Sequence, residues 1–152
     1  KEQEMTLSLA ESCTGGAIAA RIVNVSGASE VFLQGMVTYS NKAKRRCLDV
    51  SKSTLKKHGA VSEECAAEMA KGGRKASKTD ICLSVTGIAG PGGGTKEKPV
   101  GTVFMGCSYK GCTQVREFHF QGNRARVREQ TVAHGLAFLR DCMMERADKQ
   151  DK

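Results

Sequence analysis

The chain has 152 residues, 39% of them hydrophobic, with 24 Lys+Arg against 16 Asp+Glu for a formal net charge of +8. That length fits one globular domain, 1–152, able to bury about two-thirds of the surface its unfolded form exposes. Tryptophan is absent and aromatics are 5%, which argues against a stacking surface for single-stranded nucleic acid and leaves the charge to attract nucleic acid or phosphorylated metabolites without choosing between them.

Met5 to Ala10 alternates apolar and polar residues as a strand does, and Ser12-Cys-Thr-Gly-Gly opens a helical pattern with Ile18, Ala19, Ile22 and Val23 on one face. Gly27 ends this unit. Val31 to Tyr39 reads as a second strand, and Ser40 or Asn41 can cap a helix running to about Cys47. Ser51 to His58 reads as a short helix closed by Gly59, and Ser62, with Glu63 and Glu64 in the first turn, caps a longer one to about Ala76. Ile81 to Thr86 is a compact strand, and a glycine loop follows. Val100 to Tyr109 and Thr113 to Phe120 then form a hairpin around Lys110-Gly111. Asn123 caps a last helix to about Arg146 with Val132, Leu136, Leu139 and Met143 on one face, and Ala147 to Lys152 is charged enough to fray. Strands separated by helices, plus one hairpin, predict a three-layer α/β/α domain with a mixed, mostly parallel sheet.

The cysteines, at 13, 47, 65, 82, 107, 112 and 142, include no C-x-x-C pair. They read as core thiols, which argues against a disulfide framework or structural zinc and for a reducing compartment. No stretch has the apolar length of a membrane span, and Lys1-Glu-Gln-Glu lacks signal-peptide character, so a cytosolic protein away from membranes is expected. The chain starts without Met and opens almost at once on a strand, which leads to the expectation of a further segment upstream.

Five glycines fall within the eight residues from Gly87 to Gly94. A loop this bare suits a row of N–H groups facing an anion or carbonyl, although a flexible connection has the same composition. It is not a Walker loop, because Lys96 and Lys98 stand in the wrong context and a strand follows. Ser12 sits where strand meets helix, so the amides of Cys13, Thr14, Gly15 and Gly16 could hold an oxyanion beside its hydroxyl, or Ser12 could simply cap the helix. Cys13 is a rival nucleophile under the same dipole, or a packing residue. None of His58, His119 and His134 stands in a catalytic context, so no Ser-His-Asp triad is indicated. Lys44 offers another base. It lies in the first turns of a helix with Lys42, Arg45 and Arg46 nearby, which lowers its pKa, and Tyr39 could relay the proton from Ser12; a solvated basic face reads the same way. Arg124, Arg126 and Arg128 crowd a helix start, which hints at an anion; Arg124 and Arg128 share a face, and Arg126 points elsewhere.

Taken together, Ala10-Glu-Ser-Cys-Thr-Gly-Gly16, Val37-Thr-Tyr-Ser-Asn-Lys-Ala-Lys44, His58-Gly-Ala-Val-Ser-Glu63 and Thr86-Gly-Ile-Ala-Gly-Pro91 with Lys98-Pro-Val-Gly-Thr-Val103 closely resemble the CinA C-terminal domain family, which includes nicotinamide-nucleotide amidases. The resemblance runs from about Leu7 to Phe138 in the family's order. It departs in a missing helix before the first strand and a high cysteine count. It implies that Ser12 is the nucleophile, with Tyr39 and Lys44 its activating partners. It also implies a pyridine mononucleotide held by Arg124, by Thr86, Gly87, Gly90 and Gly93 of the glycine loop, and by the turn at Thr14, Gly15 and Gly16. The implied reaction turns nicotinamide mononucleotide into nicotinic acid mononucleotide and ammonia in pyridine nucleotide salvage, with no metal or cofactor. A nucleotide-binding or recruitment module without catalysis is the alternative; nucleic acid is a weaker partner, and homo-oligomerisation stays open.

Overall fold

Five strands, β1 (Leu7–Glu11), β2 (Phe32–Val37), β3 (Ile81–Gly87), β4 (Thr102–Tyr109) and β5 (Cys112–His119), form one sheet in the order β2-β1-β3-β4-β5. This computed structural model describes residues 1–150, and side chains through 145. β1 pairs in parallel with β2 and β3, whereas β3–β4 and β4–β5 are antiparallel, so β4 alone runs against the other four strands. The helices are α1 (Ala17–Val23), α2 (Asn41–Leu48), α3 (Lys52–Lys57), α4 (Glu63–Ser77) and α5 (Arg124–Gln150). α1 packs with α5 over one sheet face, and α4, joined by α2, covers the other. The α/β/α layering with a mixed, mostly parallel sheet matches the sequence reading.

The two faces differ in size because alternate strand residues go to opposite sides. Leu9, Leu83, Val85 and Met105 form the thicker core with Ile18, Val127 and Phe138. On the α4 side stand Ala10 and Cys82 with Met69 and Cys65, and Ser84, whose hydroxyl donates to Ala66 O (2.7 Å). A Cβ on Gly106 would lie 2.5 Å from Ala66 O, so only glycine permits α4 to sit this close.

Local signals set the helix starts. Ser40, Ser51 and Ser62 accept from the amides of Ala43, Thr54 and Cys65, and Asn123 Oδ1 accepts from Arg126 N. Some boundaries differ from expectation. β2 stops at Val37, leaving Thr38 and Tyr39 beyond the strand end. α5 continues to Gln150 rather than ending near Arg146; of the tail read as frayed, 147–150 are helical and 151–152 lie outside the described residues. Cys47 is not a core thiol: α2 buries Lys44 and Leu48, and Cys47 falls beside that stripe and is exposed. Among the described residues, no helix is long and apolar enough to cross a membrane.

From β1 the chain passes through α1 to β2 on one side, then returns through α2, α3 and α4 to β3 on the other side of β1. The strand order therefore reverses at β1/β3. In open α/β sheets, ligands bind at such a switch, outside the carboxyl ends of the strands.

Candidate active site

Ser12 follows the carboxyl end of β1, and its amide donates to Val85 O of β3 at 3.0 Å. It lines a cleft of ≈ 200 Å³ together with Cys13, Tyr39, Asn41, Lys44, Thr86, Gly87, Ala89 and Arg124. Lys44 approaches from α2. Its position four residues before Leu48 turns both side chains inward, and Lys44 is only 1% exposed. Nζ stands 2.9 Å from Ser12 Oγ and donates to Thr38 O at 2.8 Å. Thr38 is itself fixed by its amide, which donates to Glu11 O at 2.8 Å.

Neither partner of Lys44 is an anion, and burial pushes its pKa below the ordinary lysine value. The direction agrees with the sequence reading, but the cause is desolvation and not a crowd of helix-start cations. The sulfurs of Cys13 and Cys65 would oppose this shift only as thiolates. Burial raises each to about 11, so at neutral pH both are thiols and supply no negative charge. A neutral Lys44 can accept the Ser12 proton. The same shift makes Cys13 a poor nucleophile.

Ser12 does not cap α1. The buried carboxylate of Glu11 does so from the strand end, accepting from the amides of Gly16 (3.1 Å), Ile18 (3.1 Å) and Ala19 (2.9 Å) and from Thr14 Oγ1 (2.5 Å). This corrects the set of oxyanion donors. The Gly16 amide is occupied by Glu11, the Gly15 amide donates to Ser12 O (3.0 Å), and Thr14 is fully buried. Thr14, Gly15 and Gly16 therefore build the turn and do not line the cleft. The Cys13 amide remains, and it has no oxygen acceptor among the described residues.

Tyr39 lines the cleft, 61% exposed, but its hydroxyl accepts from Arg124 Nη2 (3.0 Å) and, among the described residues, forms no hydrogen bond with Ser12 or Lys44. Arg124 Nη1 also donates to Gly90 O (2.8 Å), tying the glycine loop to Tyr39 across the mouth. Gly87 lines the cleft, Thr86 donates its hydroxyl to Ala60 O (2.8 Å), and Gly90 contributes its carbonyl through Arg124. Gly93 lies outside the cleft; its φ of 85° accounts for glycine there as a turn residue. None of the three histidines lines the cleft.

Sequence reasoning missed Glu11 and the role of Arg128. Arg128 Nε donates to Cys13 O (3.1 Å) and Nη2 to Thr14 O (2.8 Å). A signal for Glu11 existed: an acidic residue closing an apolar strand, directly before a glycine turn. The crowding of arginines at the start of α5 pointed to an anion, and nothing local pointed to the carbonyls that Arg128 takes, because they are 115 and 114 residues away.

The CinA C-terminal domain family model matches residues 1–143. A CinA-like protein of Citrifermentans bemidjiense is 54% identical over 96% of this chain and 35% of its own length. One from Kosmotoga olearia is 51% identical over 92% of this chain and 34% of its own. This chain thus spans about a third of the length of the curated relatives it matches. Among solved structures, the competence damage-inducible protein A of Klebsiella pneumoniae superposes with TM-score 0.90 at 36% identity, covering 94% of this chain and 89% of that one. The competence/damage inducible protein of Agrobacterium tumefaciens gives TM-score 0.88 at 41% identity, covering 91% and 85%. The chain belongs to the CinA C-terminal domain family.

Proposed function

We propose that this CinA C-terminal domain is an amidohydrolase that converts nicotinamide mononucleotide to nicotinic acid mononucleotide and ammonia through a serine acyl-enzyme. The observation that carries the reading is the 2.9 Å approach of a buried Lys44 Nζ to Ser12 Oγ. A serine hydroxyl is a weak nucleophile until a base takes its proton, and a lysine whose pKa burial lowers supplies the neutral amine more readily than an exposed one. Ser12 Oγ attacks the carboxamide carbon as its proton moves to Lys44 Nζ. The Cys13 amide, which follows the nucleophile in sequence, receives the developing oxyanion. Collapse of the tetrahedral intermediate breaks the C–N bond, the proton passes to the leaving nitrogen as ammonia departs, and water then cleaves the ester with Lys44 again as base.

Tyr39 works at the mouth of the cleft. Its oxygen accepts from Arg124, so its own O–H remains to donate toward the leaving nitrogen. Arg124 uses two N–H groups on Tyr39 and Gly90; of the five a guanidinium carries, the remainder can take a phosphate oxygen. Ammonia release from nicotinamide mononucleotide by the purified chain, abolished in Ser12→Ala, tests the reading. Ligand binding without ammonia release overturns it.

A further inference from the structure

We propose that Asn41 is a specificity-determining residue whose side-chain amide takes the two adjacent ribose hydroxyls of the nucleotide; this rests on the mononucleotide reading of the cleft. Asparagine at a helix start ordinarily caps the helix. Here Ser40 does so, its Oγ accepting from Ala43 N at 3.1 Å, and Asn41 is the first residue inside α2. Its side-chain amide is left without a hydrogen-bond partner among the described residues, and the residue lines the cleft. Asn41 precedes Lys44 by three positions, so the two side chains share a face of α2. They differ in depth. Lys44 is buried beside Ser12, whereas Asn41 is exposed.

In this reading the carboxamide carbon stands at Ser12 Oγ and the phosphate at Arg124, and the sugar is the part of the nucleotide that joins them. The other polar side chains of the cleft are already engaged. Ser12 and Lys44 face each other, Tyr39 and Arg124 are paired, and Thr86 gives its hydroxyl to Ala60 O at 2.8 Å. Cys13 adds only a weakly donating thiol. The Asn41 amide is the strong hydrogen-bonding group that remains, and it carries an acceptor oxygen and N–H donors side by side. Two hydroxyls on neighbouring carbons match that pair: Oδ1 accepts from one while an N–H donates to the other. A phosphate offers acceptors alone and would leave Oδ1 without a donor. The substrate carboxamide offers both, but its place is at Ser12.

The test uses the whole chain carrying Ser12→Ala, which cannot turn the nucleotide over, alone and combined with Asn41→Ala or with Asn41→Leu. Titration calorimetry gives Kd for nicotinamide mononucleotide and for its 2′,3′-dideoxy analogue. Two hydrogen bonds made in exchange for water together change affinity about tenfold. The Ser12→Ala chain should therefore bind the ribonucleotide about tenfold more tightly than the dideoxy analogue, and either Asn41 substitution should abolish that preference by weakening the ribonucleotide alone. A merely structural role would weaken both ligands equally. Equal weakening, a preference that survives both substitutions, or equal Kd values in the Ser12→Ala chain overturns the proposal. Ammonia release by the unsubstituted chain is measured beside these titrations. Release without the ribose contrast overturns this proposal and leaves the amidase reading standing. The contrast without release supports the ribose contact and removes the amidase reading. Neither binding nor release of ammonia removes both.

Discussion

At the scale of single residues, the two candidate nucleophiles separate by environment. Ser12 stands 2.9 Å from the lysine amine, whereas burial raises the Cys13 thiol to about 11 and keeps it protonated. Ser12→Ala should abolish ammonia release with the fold intact, and Cys13→Ala should keep most of it. Kinetics and thermal unfolding of both variants check this; rapid thiol alkylation that inactivates the enzyme would reverse the assignment. Lys44 carries a pH signature. Its folded pKa lies below that of an exposed lysine, about 10.4. Between the folded and unfolded values the unfolded chain binds more protons, so stability rises with pH across that window. The rising limb of kcat/KM should report the same ionisation. Lys44→Met should remove both dependences, and Lys44→Arg, which cannot supply a neutral amine, should be inactive. Titrations of activity and of denaturant midpoint against pH measure them; an active Lys44→Arg with an unchanged profile excludes Lys44 as the base.

At the scale of elements, the Glu11 carboxylate joins β1 to α1 by accepting three amides and a hydroxyl. Hydrogen bonds to a charged group are worth about 1.5–3 kcal/mol each where a partner would be left buried. Glu11→Gln turns one acceptor oxygen into a donor facing these donors, so denaturant unfolding should show a loss of about 2–3 kcal/mol; a loss within about 0.5 kcal/mol would show that the turn stands without it. Gly106→Ala should cost about 1–3 kcal/mol by pushing a methyl against Ala66 O. The helix starts at Ser40, Ser51, Ser62 and Asn123 were legible because a cap and its amide lie within three residues. The burial of Lys44 was not legible. In sequence it belongs to a run of cations that reads as a wet face, and only the docking of α2 turns it and Leu48 inward. Ser12 was ambiguous for a related reason, since the capping role it could fill is taken by Glu11.

At the scale of the whole molecule, the sheet order is what gathers the site. Residues 12, 39, 44 and 124 come from four different segments and meet because the strand order reverses between β1 and β3. That gathering was legible through the resemblance to the CinA C-terminal domain family that the motifs carry together; each motif alone had an ordinary structural explanation. The links to α5 were not, because Arg124 finds its partners 34 and 85 residues away and Arg128 finds its own 115 and 114 residues away. If Arg124 pairs the phosphate, Arg124→Ala should weaken nicotinamide mononucleotide strongly and nicotinamide riboside hardly at all. Titration calorimetry with both ligands decides it; equal losses would assign Arg124 to structure, through its bonds to Gly90 and Tyr39. The most direct measurement is the ammonia released when the purified chain is incubated with nicotinamide mononucleotide, beside Ser12→Ala. The account predicts stoichiometric ammonia and nicotinic acid mononucleotide from the parent chain and none from the variant. Equal release by both, or binding of the nucleotide with no release by the parent chain, contradicts it.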